Sequence, residues 1–165
     1  MANPSGLKVA ANGEREIVMT RAFRAPRQLV FDAHTKPELV RKWLLGPEGW
    51  TMPICEIDLR VGGKYRYVWQ RDKDGSKMGM GGEFREIASP ERLVCTEKFD
   101  DPWYPGESLN TLLLVERDGT TTLTQTMRYD SREIRDAVLK SPMESGVAVS
   151  YDRLDAILAE QASKK

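Results

Sequence analysis

Apolar and polar positions along the chain first alternate and then change to a helical spacing. From Glu16 to Phe23 the two types of residue nearly alternate, which is typical of a strand with one face in a core. Ala25 and Pro26 interrupt this run, and apolar residues then recur at helical spacing between residues 29 and 33. The pattern predicts a strand followed by a helix.

Two later segments have the residues typical of helix N-termini. Thr35 begins the sequence Thr-Lys-Pro-Glu, which offers an N-cap hydroxyl, an early proline and a capping glutamate; we expect a second short helix that ends before Gly46. Residues 131–140 form a short helix or turn. Residues 141–144, Ser-Pro-Met-Glu, repeat the capping arrangement and predict a long amphipathic helix over 142–160, which spans roughly 27 Å.

Between these helices the chain consists of short alternating runs divided by turn sequences such as Asp74-Gly75 and Asp118-Gly119. Successive runs joined by hairpins form an antiparallel sheet, and the long helix covers one of its faces. The predicted strands are 52–58, 63–71, 77–87, 92–100, 108–117 and 120–129. With the first strand they predict an α+β helix-grip fold: a curved seven-stranded antiparallel sheet around a long C-terminal helix, with two short helices after strand 1.

Length and charge limit the protein further. The 165 residues fit one domain, expected over 15–162 after a small, polar, flexible tail over 1–14. Lys and Arg together number 25, as do Asp and Glu, so the chain has no excess of positive charge for nucleic acid or an anionic membrane. No apolar run is long enough to cross a bilayer and the N-terminus lacks a secretion-signal pattern. We expect a cytoplasmic protein without membrane insertion.

Few residues suit metal binding or covalent catalysis. Cys55 and Cys95 lie in apolar strand-like runs and are interpreted as reduced core residues. His34 is the only histidine, and no serine or cysteine stands near it in a nucleophile context. We therefore expect no catalytic triad, no metal site and no cofactor.

Short motifs in a constant order carry a family resemblance over about residues 15–160. They are Thr20-Arg-Ala-Phe-Arg-Ala-Pro26, Val30-Phe-Asp-Ala33, Arg41-Lys-Trp43, Glu56-Ile-Asp-Leu-Arg60, Gly62-Gly63, Glu83-Phe-Arg-Glu-Ile87, Pro90-Glu-Arg-Leu-Val94 and Ser150-Tyr-Asp-Arg-Leu-Asp155. In these motifs the chain resembles the activator-of-heat-shock-protein-90-ATPase-homologue family of the START-like superfamily. The resemblance implies the helix-grip fold and a cavity between sheet and long helix. It implies little about chemistry.

Candidate ligand-binding residues come from faces expected to point into that cavity. On the last helix an apolar stripe includes the small residues Gly146 and Ser150, which leave either room for a ligand or room for close packing. On the strand after Gly63, three aromatic residues share one face and form either a pocket wall or a core stripe. The full set is Trp43, Tyr65, Tyr67, Trp69, Phe84, Glu97, Trp103, Leu113, Gln125, Met127, Met143, Gly146, Val147, Ser150, Tyr151 and Leu154.

Glu97 and Gln125 are the polar members of otherwise apolar stripes, where an unpaired polar group costs about 1–3 kcal/mol. They either orient a ligand or bond to backbone, water or an arginine. The leading hypothesis is a binder of a small apolar, aromatic or lipid-like molecule. The alternatives are a protein-interaction module that acts on a chaperone, heat-shock protein 90, and a cyclase-like or hydratase-like enzyme that uses Glu97 as a base. A homodimer through a sheet edge or the Trp103 loop also stays open.

Overall fold

The computed structural model describes residues 6–45, 48–100, 106–141 and 143–163, with side chains to residue 161. Its elements run in the order strand, strand, two helices, six strands, two helices. They are β1 Lys8–Asn12, β2 Glu16–Phe23, α1 Arg27–Thr35, α2 Pro37–Trp43, β3 Trp50–Ile57, β4 Lys64–Arg71, β5 Lys77–Ala88, β6 Arg92–Phe99, β7 Ser108–Arg117, β8 Thr120–Arg128, α3 Arg132–Lys140 and α4 Met143–Ser163.

The strands form one antiparallel sheet in the order β1-β2-β8-β7-β6-β5-β4-β3. The α+β class, the large antiparallel sheet and the long last helix agree with a helix-grip fold. The predicted number of seven strands is wrong, because the described residues contain eight. The additional strand, β1, lies in the segment expected to be a flexible tail and pairs with β2 from Lys8 opposite Thr20 to Asn12 opposite Glu16. Its side chains are mostly exposed, so backbone pairing forms this strand without an apolar pattern.

The second helix does not begin as the capping pattern predicts. Its N-cap is Lys36, which makes no side-chain cap, and Thr35 is the last residue of α1. The Thr35 hydroxyl instead donates to the carbonyl of Phe31 at 2.9 Å, the position one turn back in the helix. Ser141 is closer to its predicted role, since its hydroxyl accepts from the backbone N–H of Met143 at 3.4 Å. Pro142 lies outside the described residues.

One face of the sheet packs against the helices. The core contains the buried residues of that face together with those of α1, α2 and α4, and Phe23, Leu114, Leu123, Leu154 and Leu158 are each at most 1 % exposed. In the described part of the chain, no helix is both long and apolar enough to cross a membrane.

An ion pair joins the middle of α4 to the sheet. Arg21 on β2 is buried, and its Nη1 lies 2.7 Å from Oδ1 of Asp152. Its Nη2 lies 3.8 Å from Oδ2 of Asp155, one turn further along α4. Both aspartates are largely exposed, so the contact fixes the helix to β2 at the edge of the core.

Candidate functional site

A cavity of about 490 Å³ lies between the inner face of the sheet, α1, α2 and the first half of α4. This volume is in the range of pockets that enclose small molecules. Met78, part of the wall, is 44 % exposed, so the cavity reaches the surface there. The predicted residues that line it are Trp43, Tyr65, Tyr67, Trp69, Phe84, Glu97, Gln125, Met127, Met143, Gly146, Val147, Ser150 and Tyr151.

Two of the predicted site residues that the structure describes do not line the cavity. Leu113 is 38 % exposed because β7 turns Leu112 and Leu114 inward, so Leu113 lies on the opposite face. Leu154 is fully buried, but it packs in the solid core beside the cavity. Trp103 lies outside the described residues.

The wall also contains residues that the sequence interpretation did not select. Asn110 and Leu112 follow from strict alternation on β7, and Met80 and Phe99 from alternation on β5 and β6, so this signal was present in the sequence. His34, Leu44 and Leu45 have no such signal, because they join the wall through the placement of the short helices. The wall residues outside the predicted set are Met19, His34, Val40, Leu44, Leu45, Trp50, Met78, Met80, Leu93, Cys95, Phe99, Asn110, Leu112, Tyr129 and Val138.

The aromatic strand β4 forms one side of the cavity. Tyr65, Tyr67 and Trp69 are all buried on the same face, with adjacent ring centroids 5.1 and 5.9 Å apart. The Tyr65 hydroxyl crosses β5 and donates to the carbonyl of Thr96 at 2.6 Å. Gly82 permits this crossing, since a Cβ there would collide with the Tyr65 ring and the Thr96 carbonyl. The strand thus supplies apolar rings to the wall, with Tyr65 fixed by its hydroxyl.

The indole of Trp69 and the phenol of Tyr67, both on this wall, differ in their hydrogen-bond partners. The Trp69 indole N–H donates to the carbonyl of Leu44 at 2.7 Å, which ties β4 to the end of α2. The Tyr67 hydroxyl has no hydrogen-bond partner within the described residues. Burial raises the pKa of Tyr67, so its phenol stays protonated and can donate to a molecule in the cavity.

Glu97 is the polar centre of the wall. Asn110 Nδ2 donates to its Oε2 at 2.7 Å, and the Ser108 hydroxyl donates to Asn110 Oδ1 at 3.3 Å. Burial raises the pKa of Glu97, and the Asn110 bond partly opposes this shift. The pKa of the neighbouring Cys95 thiol rises to about 12, mainly through burial and further through the Glu97 charge. This thiol is therefore a poor nucleophile at neutral pH.

On the opposite side, α1 and α4 contribute His34 and Tyr151. His34 Nδ1 donates to the Val30 carbonyl at 2.8 Å, and its buried Nε2 has no partner among the described residues. Burial lowers the pKa of His34 to about 4, so the ring is neutral at neutral pH. Tyr151 stacks on Trp43 with ring centroids 5.7 Å apart, and its hydroxyl donates to Gln125 Oε1 at 3.4 Å.

The arrangement favours enclosure of an apolar molecule. Most of the wall is aliphatic or aromatic, and the polar groups that face the space are few. In the part of the chain that the structure describes, no group of histidines, cysteines and carboxylates is placed to hold a metal ion. The wall therefore supplies shape and a small number of hydrogen-bonding positions.

Known proteins place the chain in a family. The family model for Activator of Hsp90 ATPase homolog 1-like protein matches residues 24–159. A solved Rhodobacter sphaeroides protein is 31 % identical, with 94 % of this chain and 99 % of that chain covered and a TM-score of 0.88. A Chromobacterium violaceum protein is 28 % identical, with 87 % and 96 % covered and a TM-score of 0.76.

A more distant neighbour carries a functional description. A Plasmodium falciparum protein described as an HSP90 activator is 26 % identical, with 69 % of this chain and 72 % of that chain covered and a TM-score of 0.53. Among curated protein sequences, none matches. On the extent of the family match and the likeness to the Rhodobacter protein, this chain belongs to the Activator of Hsp90 ATPase homolog 1-like protein family.

Proposed function

We propose that the protein binds a small apolar, aromatic or lipid-like molecule in the cavity between the sheet and α4. The observation that carries this proposal is the cavity itself, about 490 Å³ of space lined mainly by aliphatic and aromatic side chains. Protein interiors are normally filled to the density of organic crystals, so an unfilled apolar space of this size in a small domain favours an occupant.

Binding of the uncharged apolar dye Nile red tests this proposal. We expect dye fluorescence to rise on addition of the protein and the melting temperature to rise with dye concentration. A ligand at 100 times its dissociation constant stabilises the native state by about 2.7 kcal/mol. No dye binding and no melting shift with a broad set of apolar compounds would overturn the proposal.

Two matched substitutions on α4 separate cavity binding from surface binding. Val147 lines the cavity, whereas Val149 is 38 % exposed on the same helix. Val147→Phe places a ring in the cavity, and we expect at least about tenfold weaker dye binding because the volume left for the dye falls. Val149→Phe adds the same ring outside and should change affinity less than about twofold. Equal effects of the two variants would contradict an internal site.

A second candidate function is an interaction with Hsp90. Membership of the family and the description of the Plasmodium falciparum neighbour as an HSP90 activator favour it. The test is the ATPase rate of Hsp90 with and without this protein. We expect stimulation that Val147→Phe leaves unchanged, because a partner surface does not depend on the volume of the cavity. An unaltered ATPase rate at saturating protein concentration counts against this candidate.

A further inference from the structure

Glu97 gives the cavity a charge preference that its apolar wall alone would lack. We propose that the ligand is an apolar molecule whose polar group is a hydroxyl or amine that donates a hydrogen bond to Glu97, and that the cavity discriminates against carboxylates such as fatty-acid anions. This inference rests on the proposed ligand-binding function and assigns the chemical class of the ligand.

The first argument is the charge of the wall. Glu97 is the sole carboxylic acid among the described wall residues, and none of these is a lysine or arginine. A ligand carboxylate in this space would have no cation to neutralise it and would lie in the same low-dielectric space as the Glu97 carboxyl group. Burying an unpaired anion is strongly unfavourable, and a like charge nearby adds to that penalty.

The second argument is the unused hydrogen-bonding capacity of Glu97. Asn110 Nδ2 donates to Oε2, and no described residue donates to Oε1. Since Glu97 faces the cavity, a ligand N–H or O–H is the group that completes its hydrogen bonds. The Asn110 amide is itself held by Ser108, so the carboxylate is positioned before any ligand arrives.

The third argument is the set of rings beside Glu97. Tyr65 contacts two of them, with its ring centroid 5.1 Å from that of Tyr67 and 5.5 Å from that of Phe84. Both phenols lie near enough to Glu97 for its charge to act on them. Aromatic faces next to a carboxyl group favour an ammonium or a hydroxyl on an apolar stem. The ring faces attract the positively charged hydrogens of these groups, and they also make apolar contacts with the stem. A carboxylate gains nothing from these faces.

Three ligands with the same ten-carbon chain test the inference: decanol, decylamine and decanoate, measured at pH 8 by displacement of Nile red. We expect decanol and decylamine to bind at least about tenfold more tightly than decanoate. Decanoate binding as tight as that of decanol would overturn the inference while leaving apolar binding intact. Nile red that binds but is displaced by none of the three would overturn this inference alone, whereas the proposed function fails only if Nile red itself does not bind, so the two failures are distinguishable.

Glu97→Gln identifies the responsible group. Glutamine has nearly the same volume and keeps a carbonyl that accepts from Asn110, but it cannot ionise. We expect the difference between decanol and decanoate to shrink to less than about threefold, mainly because decanoate binds more tightly. Glu86→Gln is the matched control, since Glu86 is an exposed carboxylate on β5 paired with Arg92. An unchanged preference in Glu97→Gln would overturn the assignment, and the comparison of wild-type affinities stands even if this variant fails to fold.

Discussion

The two halves of α4 cover the same sheet but do different things. Toward its C-terminus Leu154 and Leu158 are at most 1 % exposed and pack with Phe23, Leu114 and Leu123 in a solid core. Toward its N-terminus Met143, Gly146, Val147 and Ser150 line the cavity. We call these the packed half and the hollow half of α4.

The difference teaches that an apolar stripe marks which face of a helix points inward, but not whether the space beneath it is filled. The residue sizes along the stripe change from glycine and serine in the hollow half to leucine in the packed half. Small residues reduce the volume that the helix contributes, and the aromatic strand and Glu97 on the opposite wall do not fill the remainder. Side-chain volume therefore distinguishes the hollow half of α4 from the packed half, whereas hydrophobic periodicity is the same in both.

The largest expected effect comes from the packed half. Leu154→Ala should reduce the free energy of unfolding by about 3 to 5 kcal/mol, because it removes buried methyl groups and leaves a new void. Val147→Ala in the hollow half should cost less than about 1 kcal/mol, since the valine already lacks neighbours on its cavity side. Urea denaturation measures both values. Similar losses in the two variants would show that the hollow half is packed as tightly as the other.

The next effect concerns the titration of His34, which lies on the wall of the cavity. Its pKa falls to about 4 in the folded protein, against about 6.5 in the unfolded chain, so the unfolded state binds more protons between these values. The contribution of the neutral histidine to the free energy of unfolding should therefore be fully present above pH 6.5 and fall by about 3 kcal/mol as the pH drops from 6.5 through 4. His34→Gln should lack this loss.

Urea denaturation of wild type and His34→Gln at a series of pH values measures the effect. Glu97 acts with the opposite sign: because burial raises its pKa, stability falls as the pH rises above its ordinary value of 4.5. The difference between wild type and His34→Gln isolates the histidine from this contribution. Parallel pH profiles for the two proteins would show that His34 is not buried as described.

The smallest effect is a gain. Gly146→Ala replaces a helical glycine with the best helix former, and the free energy of unfolding should rise by up to about 1 kcal/mol if the added methyl extends into the cavity. Thermal and urea denaturation measure this gain. A loss of stability would mean that Gly146 is needed for close contact with another element, and the hollow half would then begin further along α4.

Much of the fold could be predicted from alternation and turn chemistry. The strands from β2 to β8 and the long α4 lie close to their predicted positions, since each buries one regular face between clear turn sequences. β1 could not be predicted in this way, because an edge strand with exposed side chains depends on backbone pairing. The capping pattern at Thr35 also misplaced a helix start, since a threonine hydroxyl bonds equally well to the preceding turn.

The sequence predicts which side chains of the candidate site point inward, but not which of them reach the cavity. Alternation puts Tyr65, Tyr67 and Glu97 on the inner surface, and the same rule applied to β7 selects Leu112 in place of Leu113. Whether an inward residue reaches the cavity or the solid core depends on the curvature of the sheet and on the distance of α4 from it. Leu154 shows this limit, because it lies on the inward face of α4 as predicted but packs against core residues and not against the cavity.

The ion pair of Arg21 with Asp152 lies where the hollow half of α4 meets the packed half. Beyond that point α4 is held by Leu154 and Leu158, whereas before it the helix borders the cavity. We expect an occupant larger than the cavity to tilt the N-terminal arm of α4 about this pivot. The range of ligand sizes that the protein accepts would then depend on how far about three helical turns of α4 can move, while the C-terminal core stays unchanged.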